Sequence, residues 1–76
     1  MRLSDKDEGK HVVNKAGKKI GMVSRVEGNH AYVDPDPGIT DTIKSKLGWG
    51  DADEDTYPVD ESDIESMDDD EIKLNR

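Results

Sequence analysis

The chain has no cysteine and no phenylalanine, and its 76 residues include only one tryptophan and two tyrosines. Without cysteine there is no disulfide to brace a small fold, no thiol nucleophile and no thiolate for a zinc site. That usage fits an intracellular protein. The scarcity of aromatics, with a hydrophobic fraction of 30%, leaves a lean core. No apolar run approaches the ~18 residues that a membrane-spanning helix needs. The opening MRLSDKDEGK lacks the apolar segment of a signal peptide. The expectation is a cytoplasmic protein with no membrane insertion. The length supports one domain over residues 1–76. A fold of this size buries only about 60% of the surface its unfolded chain exposes, so its stability margin is narrow.

Positive charge is also scarce, and unevenly placed. The formal net charge is −8. Residues 1–33 hold four acids against seven bases, a net +3, and residues 34–76 hold fifteen acids against four bases, a net −11. An acidic block this dense argues against nucleic-acid or anionic-membrane binding, which needs clustered Lys or Arg. The one exception is the basic group Lys10, Lys15, Lys18, Lys19 and Arg25. Either the acidic half is a solvated disordered tail, or it is folded and carries the acidic surface of a halophilic protein. Apolar residues recur through it at strand-like intervals, which favours the second reading.

The pattern along the chain is that of short strands. Lys10–Asn14 reads as the first, Lys15–Lys18 as a turn with Gly17 free to take positive φ, and Lys19–Glu27 as the second. In that second strand Ile20, Met22, Val23 and Val26 do not alternate cleanly. A bulge at Gly21 would reset the phase and turn Ile20, Val23 and Val26 inward. Gly28-Asn29 is a two-residue turn signal before a third strand, His30–Asp34. Pro35 and Pro37 stop the sheet. Ile39, Ile43 and Leu47 then form one apolar helical stripe, with Asp36 or Thr40 as N-cap and Gly48 as the stop. After an acidic loop, Thr56–Val59, Ile64–Met67 and Glu71–Leu74 read as short strands, and Pro58 confines the first of these to an edge or a strand end. Five or six short strands with one helix favour a small barrel or sandwich. A parallel βαβ fold is disfavoured, because the second helix is missing.

Gly9-Lys10-x-Val12-Val13-x-x-x-Gly17-Lys18-x-Ile20-Gly21-x-Val23-x-x-Val26 resembles the opening of a PRC-barrel domain. The closing Tyr57-Pro58-Val59, Ile64, Met67, Ile72 and Leu74 resemble that family's last strands. The segment between, about residues 35–55, is longer than the family's usual connection and looks like an insertion of acidic, haloarchaeal-type members. The resemblance implies a mainly β fold: a small six-stranded antiparallel barrel with one short inserted helix. It implies a binding module rather than an enzyme. Similar domains form the cytoplasmic part of the photosynthetic reaction-centre H subunit and half of a bacterial ribosome-maturation factor. Stand-alone archaeal versions act as cell-division adaptors that bridge ring-anchoring proteins.

The residues themselves suggest no catalytic set and no cofactor. Nineteen acids make carboxylate pairs trivial to find, and there is no glycine-rich phosphate loop. Asp51, Asp53 and Asp55 spell the first three ligand positions of a calcium loop, but Thr56 and Ser62 stand where glycine and glutamate are required. They remain weak candidates for loose cation association, as do Asp34, Asp36 and Asp68 to Asp70. His11 and His30 lack further ligands for zinc.

Trp49 is the strongest single candidate. It either caps the barrel or anchors a partner, since tryptophan is enriched at binding hot spots. Ile39, Ile43 and Leu47 carry the same ambiguity, and Tyr57 lies on a candidate edge strand. The expected function is therefore a protein–protein adaptor in cell division, docking a division-ring or membrane-anchoring component or a second copy as a homodimer. The alternatives are an RNA- or ribosome-associated module using the basic residues, and an acidic cation-binding protein.

Overall fold

The computed structural model describes residues 3–49 and 56–76. A 3₁₀ turn at Asp5–Asp7 precedes β1 (His11–Val13), β2 (Lys19–Glu27) and β3 (His30–Pro35). A short helix, α1 (Asp41–Lys46), follows, and then β4 (Tyr57–Asp60), a 3₁₀ turn at Glu61–Asp63, β5 (Ile64–Met67) and β6 (Glu71–Leu74). The strands form a single sheet in the order β4-β3-β2-β1-β6-β5.

Local chemistry accounts for the turns. Gly17 and Gly28 take φ of 87° and 60° in the β1–β2 and β2–β3 turns, a region that disfavours any residue with a Cβ. Thr40, not Asp36, caps α1: its Oγ1 accepts a hydrogen bond from the Ile43 N–H at 3.3 Å. Asp60 caps the second 3₁₀ turn, accepting from the Ser62 N–H at 3.3 Å. In the last hairpin Asp68 Oδ1 accepts from the N–H groups of Asp70 and Glu71 at 3.0 and 2.8 Å.

The sheet departs from the antiparallel barrel in two ways. First, β1 and β6 run parallel, with Val12 opposite Ile72. The His11 N–H donates to the Asp70 carbonyl at 3.0 Å and the Lys15 N–H to the Arg76 carbonyl at 2.7 Å, extending the ladder at both ends. Val12 and Ile72 are each 1% exposed, so the pairing is set by burial between distant segments rather than by a turn. Second, the barrel is not closed. Among the described residues β4 and β5 are sheet edges and do not pair with each other. The sheet curls into a half-barrel instead.

Bulges favour that curl, because an extra residue on one strand increases its twist. Val12 faces Gly21 and Val13 faces Lys19, leaving Ile20 as the extra residue of β2. The bulge therefore lies one position before Gly21. Ser24 is extra against β3 and Glu65 against β6. The shift at Ser24 falls between Val23, which is buried, and Val26, which is half-buried on the same side; Ile20 is buried as well. Gly21 has a different duty: a Cβ there would collide with the Asp34 carbonyl and lie 2.8 Å from Val33 Cγ1. It lets β3 approach closely.

The concave side holds the core, with Val12, Ile20, Val33, Ile72 and Leu74 its most enclosed large side chains. Leu47, at the end of α1, joins that core, and Ile39, Ile43 and Trp49 pack against it half-buried. The helix stripe thus packs on the sheet. The N-terminal turn packs against β2. Leu3 enters the core, and Asp7 is only 5% exposed. Asp7 Oδ1 accepts from Lys10 Nζ at 2.6 Å and Oδ2 from the Ser4 N–H at 2.9 Å.

Candidate functional site

A groove forms around β4, where the end of α1 meets the sheet. It encloses about 570 Å³ between Tyr32, Leu47, Trp49, Tyr57, Arg25 and Arg76. All three aromatic residues of the chain line it.

Helix-end geometry places Trp49. The Gly48 N–H donates to the Ser45 carbonyl at 3.1 Å and the Trp49 N–H to the Lys44 carbonyl at 2.9 Å. These are the two bonds of a Schellman cap, which needs a left-handed residue between helix and exit. Gly48 supplies it, with φ of 80°. The chain then turns so that the indole lies on Tyr57, with centroids 4.6 Å apart and planes 12° from parallel. Tyr57 is 3% exposed. Lys44 Nζ stands 5.8 Å from the centre of the same phenol ring.

Sheet register places the other wall. Arg25 faces Tyr32 across β2 and β3, and Tyr32 faces Pro58 across β3 and β4. The three form one row. The Arg25 guanidinium carbon lies 4.4 Å from the Tyr32 ring centre, and Arg25 Nε meets Glu27 Oε2 at 3.1 Å. Arg76 closes the groove near the helix: Nη1 donates to the Leu47 carbonyl at 3.3 Å and Nη2 lies 3.3 Å from Asp63 Oδ1.

Of the sequence candidates, Trp49, Leu47 and Tyr57 come together here. Ile39 and Ile43 do not line the groove and pack on the core. The basic residues do not gather. Lys15, Lys18 and Lys19 are exposed around the β1–β2 turn, Lys10 is tied to Asp7, and Arg25 belongs to the groove. Asp51, Asp53 and Asp55 lie outside the described residues. Among the described residues, no cluster of three or more His, Asp or Glu side chains is arranged to hold a metal ion. His11 and His30 are exposed, and His30 Nε2 is 3.7 Å from Asp60 Oδ2. No helix among the described residues is long and apolar enough to cross a membrane.

Sequence reasoning missed Tyr32 and Arg76 as groove residues and assigned Arg25 to a different face. The available signal was the rarity of aromatics: three rings in 76 residues are most useful if pooled. Strand register, which brings Arg25 against Tyr32, leaves no mark on either segment alone.

Residues 3–74 match the model of a family of unknown function, DUF8593, and the chain belongs to that family. No curated protein and no solved structure matches the chain.

Proposed function

We propose that this DUF8593 member is a non-enzymatic protein–protein interaction adaptor, a PRC-barrel-type module of a high-salt cytoplasm, that docks its partner in the groove beside Trp49. The observation that carries this reading is the pooling of Trp49, Tyr57 and Tyr32 with Leu47 in one open groove. Met22 is the only exposed large hydrophobic among the described residues. Amphipathic rings over a well-packed base are the side chains that make binding hot spots.

Strand addition at the sheet edges is the weaker docking mode. Pro58 removes a donor from β4 and the bulge at Glu65 interrupts β5. Both are devices that blunt edges. Docking through side chains in the groove avoids both obstacles.

The specific partner class, a division-ring or membrane-anchoring protein, rests on the PRC-barrel resemblance, which is analogy. The RNA-linked alternative loses ground, because Lys10 and Arg25 are engaged away from the turn lysines. The test is a cross-linked affinity pull-down of the tagged protein from its own cells in molar salt, read by mass spectrometry. Division-ring or membrane-anchoring proteins recovered with the native chain and lost with Trp49→Ala support the reading. Recovery of ribosomal proteins or RNA, unchanged by Trp49→Ala, transfers the function to the lysine-rich turn.

A further inference from the structure

We infer that the groove takes a basic peptide segment of the partner, with a lysine or arginine side chain laid against the Trp49 indole. The inference rests on the docking reading above and names the chemistry of the occupant.

The rings of the groove carry the first argument. Arg25 lies over Tyr32, its guanidinium carbon 4.4 Å from the ring centre, and Lys44 Nζ stands 5.8 Å from the centre of Tyr57. Two of the three rings thus already hold a cation of their own chain. Trp49 is the exception: among the described residues no Lys or Arg lies over it. The indole rests on Tyr57 and is only half-buried where it lines the groove. Tryptophan offers a cation the strongest ring face of any side chain. The best cation acceptor of the three is the one left for a partner.

Charge points the same way. Arg25 and Arg76 bring no surplus, since Glu27 and Asp63 meet them at 3.1 and 3.3 Å. Lys44 adds one positive charge beside Tyr57. Trp49 and Thr56 both line the groove, and the segment that joins them in sequence carries Asp51, Asp53, Glu54 and Asp55 and no base. None of these acids is more than three residues from Trp49 or Thr56. Chain length alone therefore keeps them within roughly 11 Å of a groove residue, about the Debye length at 0.1 M salt. The four acids outweigh Lys44, and the chain as a whole is −8. Such a field draws a cationic segment to this face and repels an anionic one.

The seat suits a side chain rather than a bare ion. Leu47 and Pro58 stand with Trp49 in the lining. Lysine and arginine lay their methylene stems on apolar surface of this kind while the charged head stays in water. A small free cation gains nothing from that contact.

The intact protein, labelled with nitrogen-15, is titrated with short capped peptides that carry a central lysine, glutamine or glutamate between the same neutral residues, and with spermidine as a free polyamine. Binding is read from the amide signals of Gly48 and Tyr57, which are retained in a Trp49→Leu variant. The lysine peptide is expected to bind about threefold to fivefold tighter than the glutamine peptide, the worth of one exposed cation–π contact. Its lead over the glutamate peptide should shrink from dilute to molar salt, as the acidic field is screened. The lysine preference should vanish in Trp49→Leu, which keeps apolar bulk and removes the ring. Equal binding of the lysine and glutamine peptides, or tighter binding of the glutamate peptide, overturns the basic occupant while leaving the groove as a docking site. A lysine preference that survives Trp49→Leu overturns the seat at the indole, and spermidine bound as tightly as the lysine peptide overturns a peptide occupant. If no probe moves the Gly48 and Tyr57 signals, the basic occupant falls; if the pull-down is also indifferent to Trp49→Ala, the groove reading falls with it.

Discussion

Trp49 lies flat on Tyr57, yet the two rings carry different loads. Tyr57 is 3% exposed within β4, while Trp49 is half-buried outside any strand or helix. The lower ring is part of the fold and the upper one is its cover. Truncating Tyr57 to Ala should cost about 3–5 kcal/mol, as for other enclosed aromatics. Trp49→Ala removes an aromatic pair worth about 0.5–1.5 kcal/mol beyond area plus partial burial, and should leave a folded domain. Urea denaturation of both variants checks this. A Trp49→Ala loss as large as that of Tyr57→Ala would place Trp49 in the core and remove it as a docking residue.

Gly48 controls where that cover sits. At φ of 80° an alanine pays about 1–2 kcal/mol for the left-handed conformation, and its Cβ would lie 2.9 Å from Arg76 Nη1. Gly48→Ala should therefore lower the melting temperature and also change the near-ultraviolet circular dichroism of Trp49. A stability loss with an unchanged tryptophan signal would mean that the Schellman cap does not aim the indole.

Asp7, which does not line the groove, gives the domain an acid-sensitive point. Burial pushes its carboxyl up, but the hydrogen bonds from Lys10 and Ser4 and the Lys10 charge outweigh it, so its pKa falls below the ordinary 3.8. The folded state thus favours the ionised form. The stabilisation is complete above the unfolded value and is lost as pH falls through it toward the lower folded value. Asp7→Asn should be less stable at neutral pH by about 1.5–3 kcal/mol, the range for a hydrogen bond to a charged group. The gap to the native chain should narrow below pH of about 4. A gap independent of pH would assign Asp7 a packing role alone.

Much of the fold can be read from short-range signals. Lys19–Glu27, Ile64–Met67 and Glu71–Leu74 are strands with the expected bounds. Gly17, Gly28 and Gly48 stand where turn and cap chemistry put them. Those signals act over a few residues. They say nothing about which strand lies beside β1, and so the parallel match of Val12 to Ile72 is invisible in either segment. The open side has the same origin: whether β4 meets β5 depends on accumulated twist from bulges at Ile20, Ser24 and Glu65, not on any local pattern. Asp7 was equally hidden, since a DKDEG stretch reads as solvated surface until Lys10 and Ser4 close on it. The groove was half legible. Trp49, Leu47 and Tyr57 stood out by residue type, while Arg25, Tyr32 and Arg76 join them only through register and the end of the chain's path.

Salt supplies the last test, and it bears on the acidic half as a whole. The radius of gyration is 11.0 Å, close to the Debye length of about 10 Å at 0.1 M salt and well above the ~3 Å at 1 M. In dilute buffer the charges of a −8 chain repel one another across the whole molecule; in molar salt only near neighbours interact. The apolar core is small, so this repulsion is a sizeable share of the stability margin. For a domain of this size each kcal/mol shifts the midpoint by about 4–8 °C. The melting temperature should thus rise by several degrees from dilute buffer to molar potassium chloride. Potassium glutamate should act in the same direction, because the screening cation is shared. An unchanged midpoint would mean that the acids are spaced widely enough to coexist without screening, and the high-salt setting would lose its physical basis.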